Sequence, residues 1–255
     1  MSVIEAIILG IIQGVTEFLP ISSSGHLVVA QHLIGIQPPG VLVEVVLHLG
    51  TLGAVIIYYR QDIVKLITGI FKGAESAWKL FIQLSAATLP AAIMGVFANN
   101  IITDSYSIQL VPWTFFTTAV IIAATYLFRE KDAGKITLVA AFIIGCAQVF
   151  ALLPGISRSG ITLATAIFLG LNRTSAARFV FLMAIPVLLG AGVLQYFQFS
   201  QSDQSFALFP LSVGFISALI SGLLVMRWLI AVISKGRFYL FSLYCLGISI
   251  LAFQL

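Results

Sequence analysis

From Leu208 to Ile233 the chain carries a single charged residue, Arg227, and no regular alternation of polar and apolar positions. Apolar runs of this kind recur along the whole sequence, and they restrict the fold more than any other feature. Inside a bilayer every backbone N–H and C=O must find a partner within the protein, so only helices and closed barrels cross it. A barrel strand alternates lipid-facing and lumen-facing residues over about 10 positions. The runs here do not alternate, and several approach the roughly 20 residues that a spanning helix needs. The chain therefore reads as an all-α polytopic membrane protein, one membrane domain over residues 1–255. Its 9% charged residues agree, since a soluble domain has about 25%. The net charge of +4 is not gathered on a soluble surface and gives no reason to expect a nucleic-acid partner. The start, MSVIEAIILG, lacks the basic flank and small-residue cleavage site of a signal peptide. Cys146 and Cys245 lie within apolar segments and are expected to be buried small hydrophobes.

The hydrophobic segments are 2–20, 26–36, 41–59, 79–98, 112–128, 136–153, 160–171, 177–198, 208–233 and 238–255. Segments 26–36 and 160–171 are too short to span. Each follows a Pro/Ser/Gly-rich stretch, so the expectation is two re-entrant helical hairpins and six full transmembrane helices, three after each hairpin. The stretches themselves repeat. QGVTEFLPISSSGH, Gln13 to His26, aligns without gaps with QVFALLPGISRSGI, Gln148 to Ile161, so that Ser22, Ser24 and Gly25 match Ser157, Ser159 and Gly160. Three spans per half is an odd number, which makes this an inverted-topology repeat with halves of roughly 1–130 and 131–255. The charges fit it. Of the thirteen Lys and Arg, twelve fall on one side: Arg60, Lys65, Lys72 and Lys79 in one loop, then Arg129, Lys131, Lys135, Arg173, Arg178, Arg227, Lys235 and Arg237. The opposite connections, 99–111 and 199–207, hold Asp104 and Asp203 and no base. The positive-inside rule makes the basic side cytoplasmic and sets both termini outside a plasma (inner) membrane.

Arg158 is the remaining base, and Glu5, Glu17 and Glu44 are the remaining acids. A charge inside the bilayer costs about 3 kcal/mol or more and marks a functional site. Broken helices of an inverted repeat meet at mid-membrane, where such folds place their binding site. Each stretch leads into a short helix whose Ser and Gly residues cap free N–H groups, and a helix N-terminus carries roughly half a positive charge. Two such termini plus Arg158 make an anion site suited to phosphate, with Ser22, Ser24, Gly25, Ser157, Ser159 and Gly160 as phosphate-binding positions. Glu17 is out of place beside a simple anion unless a divalent cation bridges it to the phosphate. Gln13, four residues earlier, faces the same way, and such oxygen ligands suit Mg²⁺ or Ca²⁺. His26 is placed to exchange a proton or to attack phosphorus. Glu44 and His48 are also four apart, either lining this site or hydrogen-bonding structurally. Glu5 reads as a solvated outer residue, and Tyr106 and Trp113 as part of an interfacial aromatic belt.

The two stretches, with GTLGAVIIYYR and LNRTSAARFVFLMAIP, resemble the undecaprenyl-diphosphate phosphatase family of the bacitracin-resistance type along essentially the whole chain. The resemblance implies an integral hydrolase acting on a polyprenyl diphosphate, which returns undecaprenyl phosphate to cell-wall synthesis. It places the family's acidic motif on Gln13 and Glu17, its serines on Ser22, Ser23 and Ser24, its histidine on His26 and its arginine on Arg158. Gln13 stands where the family also uses Glu, so this chain brings one carboxylate fewer to a metal. Catalysis is then expected from Glu17, His26, Arg158 and Ser23, with His26 or Ser23 attacking or His26 activating water. A homodimer is an open expectation. The competing reading is a lipid flippase on the same inverted repeat, which needs to bind phosphate but needs neither His26 nor a metal-binding Glu17. An intramembrane serine protease leaves Arg158 unexplained. A phosphatidic-acid-type phosphatase lacks its second histidine, because Ser159, Gly160, Ile161 and Thr162 follow Arg158.

Overall fold

The computed structural model describes residues 1–34, 40–97, 107–128, 135–199 and 208–255, and among them the regular structure is helical. The helices are α1 (Val3–Phe18), α2 (Ser23–Ile34), α3 (Gly40–Tyr58), α4 (Arg60–Phe71), α5 (Glu75–Phe97), α6 (Val111–Ala124), α7 (Leu138–Val149), α8 (Arg158–Phe168), α9 (Arg173–Phe199), α10 (Leu208–Ser234) and α11 (Phe241–Ala252). By length and composition, Glu75–Phe97, Arg173–Val193 and Leu208–Ser234 can each cross a membrane, and Val45–Tyr58, Val111–Leu127, Leu138–Leu152 and Phe238–Ala252 are shorter apolar stretches. Large apolar side chains such as Ile4, Ile11, Leu224 and Leu243 point outward, as a lipid-facing surface requires.

Lipid removes most of the hydrophobic drive between helices, so packing relies on small residues that let backbones approach. The packing of α1 on α10 shows it: a Cβ on Gly10 would lie 2.5 Å from the Gly214 carbonyl oxygen. The packing of α7 on α5 repeats it, with a Cβ on Gly145 placed 2.3 Å from the Ala87 carbonyl oxygen. Gly145→Ala is therefore expected to lower the unfolding midpoint in detergent by the cost of overpacking, about 1–3 kcal/mol, with no residue of the candidate site altered. A midpoint equal to wild type would mean that α5 and α7 can slide apart freely.

Helices α1 and α7 both end where the two repeated stretches predict breaks, and α2 and α8 begin just beyond them. The basic ends of the helices lie together. Arg178 contacts Asp62, Arg173 donates to the Phe128 carbonyl, and the Tyr126 and Tyr239 rings meet edge to face at 4.9 Å.

Three expectations are corrected. The connection carrying Arg60, Lys65, Lys72 and Lys79 is not a loop: Arg60 and Lys65 lie in the amphipathic helix α4, Lys72 caps its end and Lys79 lies in α5, while α4 buries no residue and leaves Phe71 87% exposed. Its apolar residues, Ile63, Leu66, Ile67 and Ile70, follow a helical spacing that a search for long apolar runs passes over. Glu5 is not simply solvated. It closes a capping box with Ser2, accepting from the Ser2 N–H at 2.9 Å while the Ser2 hydroxyl accepts from the Glu5 N–H at 3.2 Å. Cys146 is exposed on the apolar surface of α7, whereas Cys245 is buried as expected. Trp113 is exposed and meets Phe253 edge to face. Asp104, Tyr106, Arg129, Lys131 and Asp203 lie outside the described residues, as does the side chain of Glu44.

Candidate active site

Glu17 lies in the last turn of α1 with its side chain only 5% exposed. Both carboxylate oxygens are engaged. Oε1 accepts from Arg158 Nη2 at 2.6 Å. Oε2 accepts from the Ser23 hydroxyl at 2.6 Å and from Gln13 Nε2 at 3.0 Å. His48 Nε2 stands 3.7 Å from Oε2. Ser23 and Arg158 are the first residues of α2 and α8 and occupy the same position in the two repeated stretches. One carboxylate thus ties together the starts of both return helices.

The two breaks share their local chemistry. Ser22 Oγ accepts from the Gly25 N–H at 3.3 Å and lies 3.3 Å from Ser24 Oγ. Ser157 Oγ accepts from the Gly160 N–H at 3.0 Å and lies 3.2 Å from Ser159 Oγ. These are helix caps, built where the sequence predicts them. The carbonyls in the breaks are also satisfied in matching ways: Gly155 O by Thr118 at 2.9 Å, and Pro20 O by the Cys245 thiol at 3.5 Å. The breaks touch each other. Ser159 donates to the Leu19 carbonyl at 3.1 Å, and a Cβ on Gly25 would fall 2.8 Å from the Gly155 Cα. Two helix N-termini therefore meet beside Glu17. They differ in how the chain turns. The second uses Gly155 at φ +91°, and the first uses Ser22 at φ +67°, the one non-glycine among the described residues with positive φ. Such a backbone costs about 1–3 kcal/mol and persists only where its surroundings hold it.

Several buried polar atoms make no hydrogen bond: Gln13 Oε1 and Arg158 Nη1 at this centre, and both amide atoms of Gln148 near the end of α7. An unpartnered buried polar group is costly and calls for an explanation. Gln13 Oε1 and Arg158 Nη1 extend from groups already held by Glu17, so one oxygen acceptor and one cationic donor remain for something else. With Glu17 and the Ser23 hydroxyl, Gln13 Oε1 belongs to the hard oxygen set that Mg²⁺ or Ca²⁺ prefers. Among the described residues no group of three or more His, Cys, Asp and Glu could hold a metal. A cation held there would have one protein carboxylate to bind, Glu17.

The site residues named from sequence are divided by the fold. Gln13, Glu17, Ser23 and Arg158 are joined by hydrogen bonds. Ser22, Gly25, Ser157, Ser159 and Gly160 are buried and form the breaks themselves, while Ser24 is half-buried at the start of α2. His26 makes its polar contacts away from Glu17, at the Ser22 carbonyl and the Tyr244 hydroxyl. The histidine beside the carboxylate is His48, for which the sequence left two readings open. Thr118, which also accepts from the Ser157 N–H at 3.2 Å, and Tyr244 had no signal in the sequence.

What this architecture defines is a helical membrane protein with a buried carboxylate–guanidinium centre where the starts of two helices meet. The chain belongs to the bacitracin resistance protein BacA family, whose sequence model matches residues 6–251. It is similar to the undecaprenyl-diphosphatase of Thermosipho africanus, 41% identical over 249 residues, or 97% of this chain and 98% of the relative. It is 35% identical over 264 residues to the undecaprenyl-diphosphatase of Bacteroides thetaiotaomicron, covering 100% of both chains. It is 37% identical over 259 residues to undecaprenyl-diphosphatase 4 of Bacillus thuringiensis, covering 100% of this chain and 98% of that one.

Proposed function

We propose that this chain is an integral membrane hydrolase that removes the terminal phosphate of undecaprenyl diphosphate and leaves undecaprenyl phosphate. The observation that carries the site reading is the Glu17 carboxylate held at 2.6 Å by Arg158 and at 2.6 Å by Ser23, with Arg158 Nη1 buried and unpartnered beside it. The full-length similarity to undecaprenyl-diphosphatases supplies the substrate.

Arg158 Nη1 and the N-termini of α2 and α8 bind the terminal phosphoryl oxygens and offset the charge that develops on them. Ser23 Oγ, already donating to a carboxylate, attacks the terminal phosphorus. Its proton passes to Glu17 Oε2, and the P–O bond to the prenyl monophosphate breaks. His26 shares a face of α2 with Ser23, three residues on. It takes the proton of the water that then hydrolyses the phosphoserine, its Nε2 exchanging the Tyr244 hydroxyl for that water; the P–O bond to Ser23 breaks, inorganic phosphate leaves, and Glu17 Oε2 returns its proton to Ser23 Oγ. Glu17 and Gln13 would hold Mg²⁺ or Ca²⁺, which would supply further neutralisation of the diphosphate.

The molecule is read as an inverted repeat of 1–130 and 131–255 with six spans and two re-entrant hairpins. Its support is the reciprocity of the packing. Helix α1 lies on α10 as α7 lies on α5, α3 on α10 as α9 on α5, and α3 and α6 each pack on their own counterparts, α9 and α11. The clustered basic ends mark the cytoplasmic side of the plasma membrane, so both termini and the opening of the Glu17 hairpin face outward.

The test is phosphate release from a polyprenyl diphosphate by purified protein in detergent, with Mg²⁺, with Ca²⁺ and with chelator. Release that needs the cation and returns on its readdition is expected. Folded protein that binds the lipid yet releases no phosphate with either cation would favour the flippase.

A further inference from the structure

Among the basic ends of the helices lies a cavity of about 500 Å³. Tyr126 and Phe128 border it beyond α6, Arg173 at the start of α9, Lys235 and Gly236 at the end of α10, and Tyr239 just before α11. Both charged residues of its lining are basic, and the lining holds no carboxylate. The second cavity at the basic ends, of about 290 Å³, differs: Arg60 and Arg227 share it with Asp62, which already contacts Arg178.

The local backbone holds the Arg173 guanidinium at the wall of the larger cavity. Nη2 donates to the Phe128 carbonyl at 3.4 Å. A Cβ on Gly236 would lie 2.8 Å from Nη1, so glycine leaves room for the charged group. Gly236 turns the chain at φ +71°. There the Gly236 and Arg237 N–H groups donate to the Ile233 and Val232 carbonyls at 2.9 and 3.2 Å. Two carbonyls at the end of α10 that would repel an anion are thereby satisfied, and the N-terminus of α9 adds partial positive charge. A lysine at a membrane surface can simply snorkel to water, but that does not explain an arginine held by backbone into a cavity. The Tyr126 and Tyr239 rings meet at 4.9 Å beside the charges. Their sequence neighbours Leu127 and Leu240 are 78% and 44% exposed. The site is therefore amphipathic, with cationic and phenolic donors inside and bare apolar surface at its edge.

We propose that this cavity binds the headgroup of an anionic phospholipid of the cytoplasmic leaflet. Arg173 takes the phosphodiester in its planar fork, Lys235 adds charge, and the acyl chains lie over Leu127 and Leu240. The site is separate from the Glu17 centre and does not depend on the phosphatase reading. It rests on the reading that the basic ends face the cytoplasm.

The test is the thermal midpoint of the purified protein in nonionic detergent, titrated with phosphatidylglycerol, with phosphatidylcholine and with inorganic phosphate. Phosphatidylglycerol is expected to raise the midpoint to a plateau, by mass action on the folded state, and the other two are expected to leave it unchanged. Lys235→Gln, at an exposed position, should weaken the apparent affinity about fivefold, and Arg173→Gln tenfold or more. Lys72→Gln removes an exposed base outside the cavity and should titrate as wild type does. If loss of the Phe128 contact unfolds Arg173→Gln, the comparison of Lys235→Gln with Lys72→Gln decides alone. An equal rise with phosphatidylcholine or with inorganic phosphate would overturn the assignment to an anionic lipid. Equal weakening by Lys72→Gln and Lys235→Gln would show that surface charge at large attracts the lipid. A Lys235→Gln titration identical to wild type would remove the lipid from this cavity. Either result overturns the site.

Discussion

Glu17→Gln should abolish phosphate release and destabilise the protein, by two separable effects. The glutamine has the right shape but presents an NH₂ where two oxygens now accept from Arg158, Ser23 and Gln13. At least one of these donors then faces another donor. The guanidinium, with its side chain 16% exposed, also loses its counter-charge. Breaking one partner of a buried pair costs about 3–5 kcal/mol, most of it from the charge left behind. Paired removal tests this: Glu17→Ala with Arg158→Ala should recover much of the stability lost by Glu17→Ala alone, because no orphaned charge remains. It should recover no activity, because both the carboxylate and the phosphate clamp are gone. Thermal midpoints in detergent and phosphate release in parallel give both numbers. Wild-type stability in Glu17→Ala would mean that the pair is solvated, and substantial turnover would remove Glu17 from the chemistry.

How much of this arrangement is legible in the sequence depends on how local each cause is. The breaks after α1 and α7 are local: Pro, Ser and Gly end a helix and cap the next, and Ser22–Gly25 and Ser157–Gly160 form where the repeated stretches place them. The pair Glu17–Arg158 is non-local: the sequence marked both as charges inside the bilayer but sent Glu17 to a cation and Arg158 to phosphate, and only the fold brings one onto the other. Helix α4 was missed because its apolar positions are spaced at i, i+3 and i+4 and interrupted by Gln61, Asp62 and Lys65, so it never forms a run. Tyr244 was invisible. It stands 218 residues from His26 in an apolar segment, and an aromatic residue there needs no function. His48 was seen with Glu44 as a spaced pair, but nothing in the spacing tells which face of α3 meets Glu17. Ser22 and Ser157 cap the next helices as the repeated stretches predict, but that the neighbouring Ser23 hydroxyl donates to Glu17 had no local signal. Composition identifies a hydroxyl, but only the fold decides what it touches.

Arg158→Lys is the sharper probe of how the phosphate is held, since it keeps the charge and changes only the geometry. Arg158 presents Nη2 to Glu17 and leaves Nη1 buried and unpartnered. A guanidinium can serve both at once because its donors diverge in a rigid plane, whereas a lysine offers one nitrogen on a flexible stem. That nitrogen pairs with Glu17, so the fold should survive and the midpoint should move little. The phosphate then loses its clamp. Removing one preorganised donor to a developing charge costs about 10²–10³ in kcat, and a loss of that size in kcat/KM is expected here. The split between the parameters carries the mechanism. A fall in kcat with KM preserved means that Nη1 acts mainly on the transition state. A rise in KM alone means that it binds the ground-state diphosphate and contributes nothing to the chemical step. Near-wild-type kcat/KM would show that charge alone suffices, and the helix N-termini would then have to orient the phosphoryl group without Arg158.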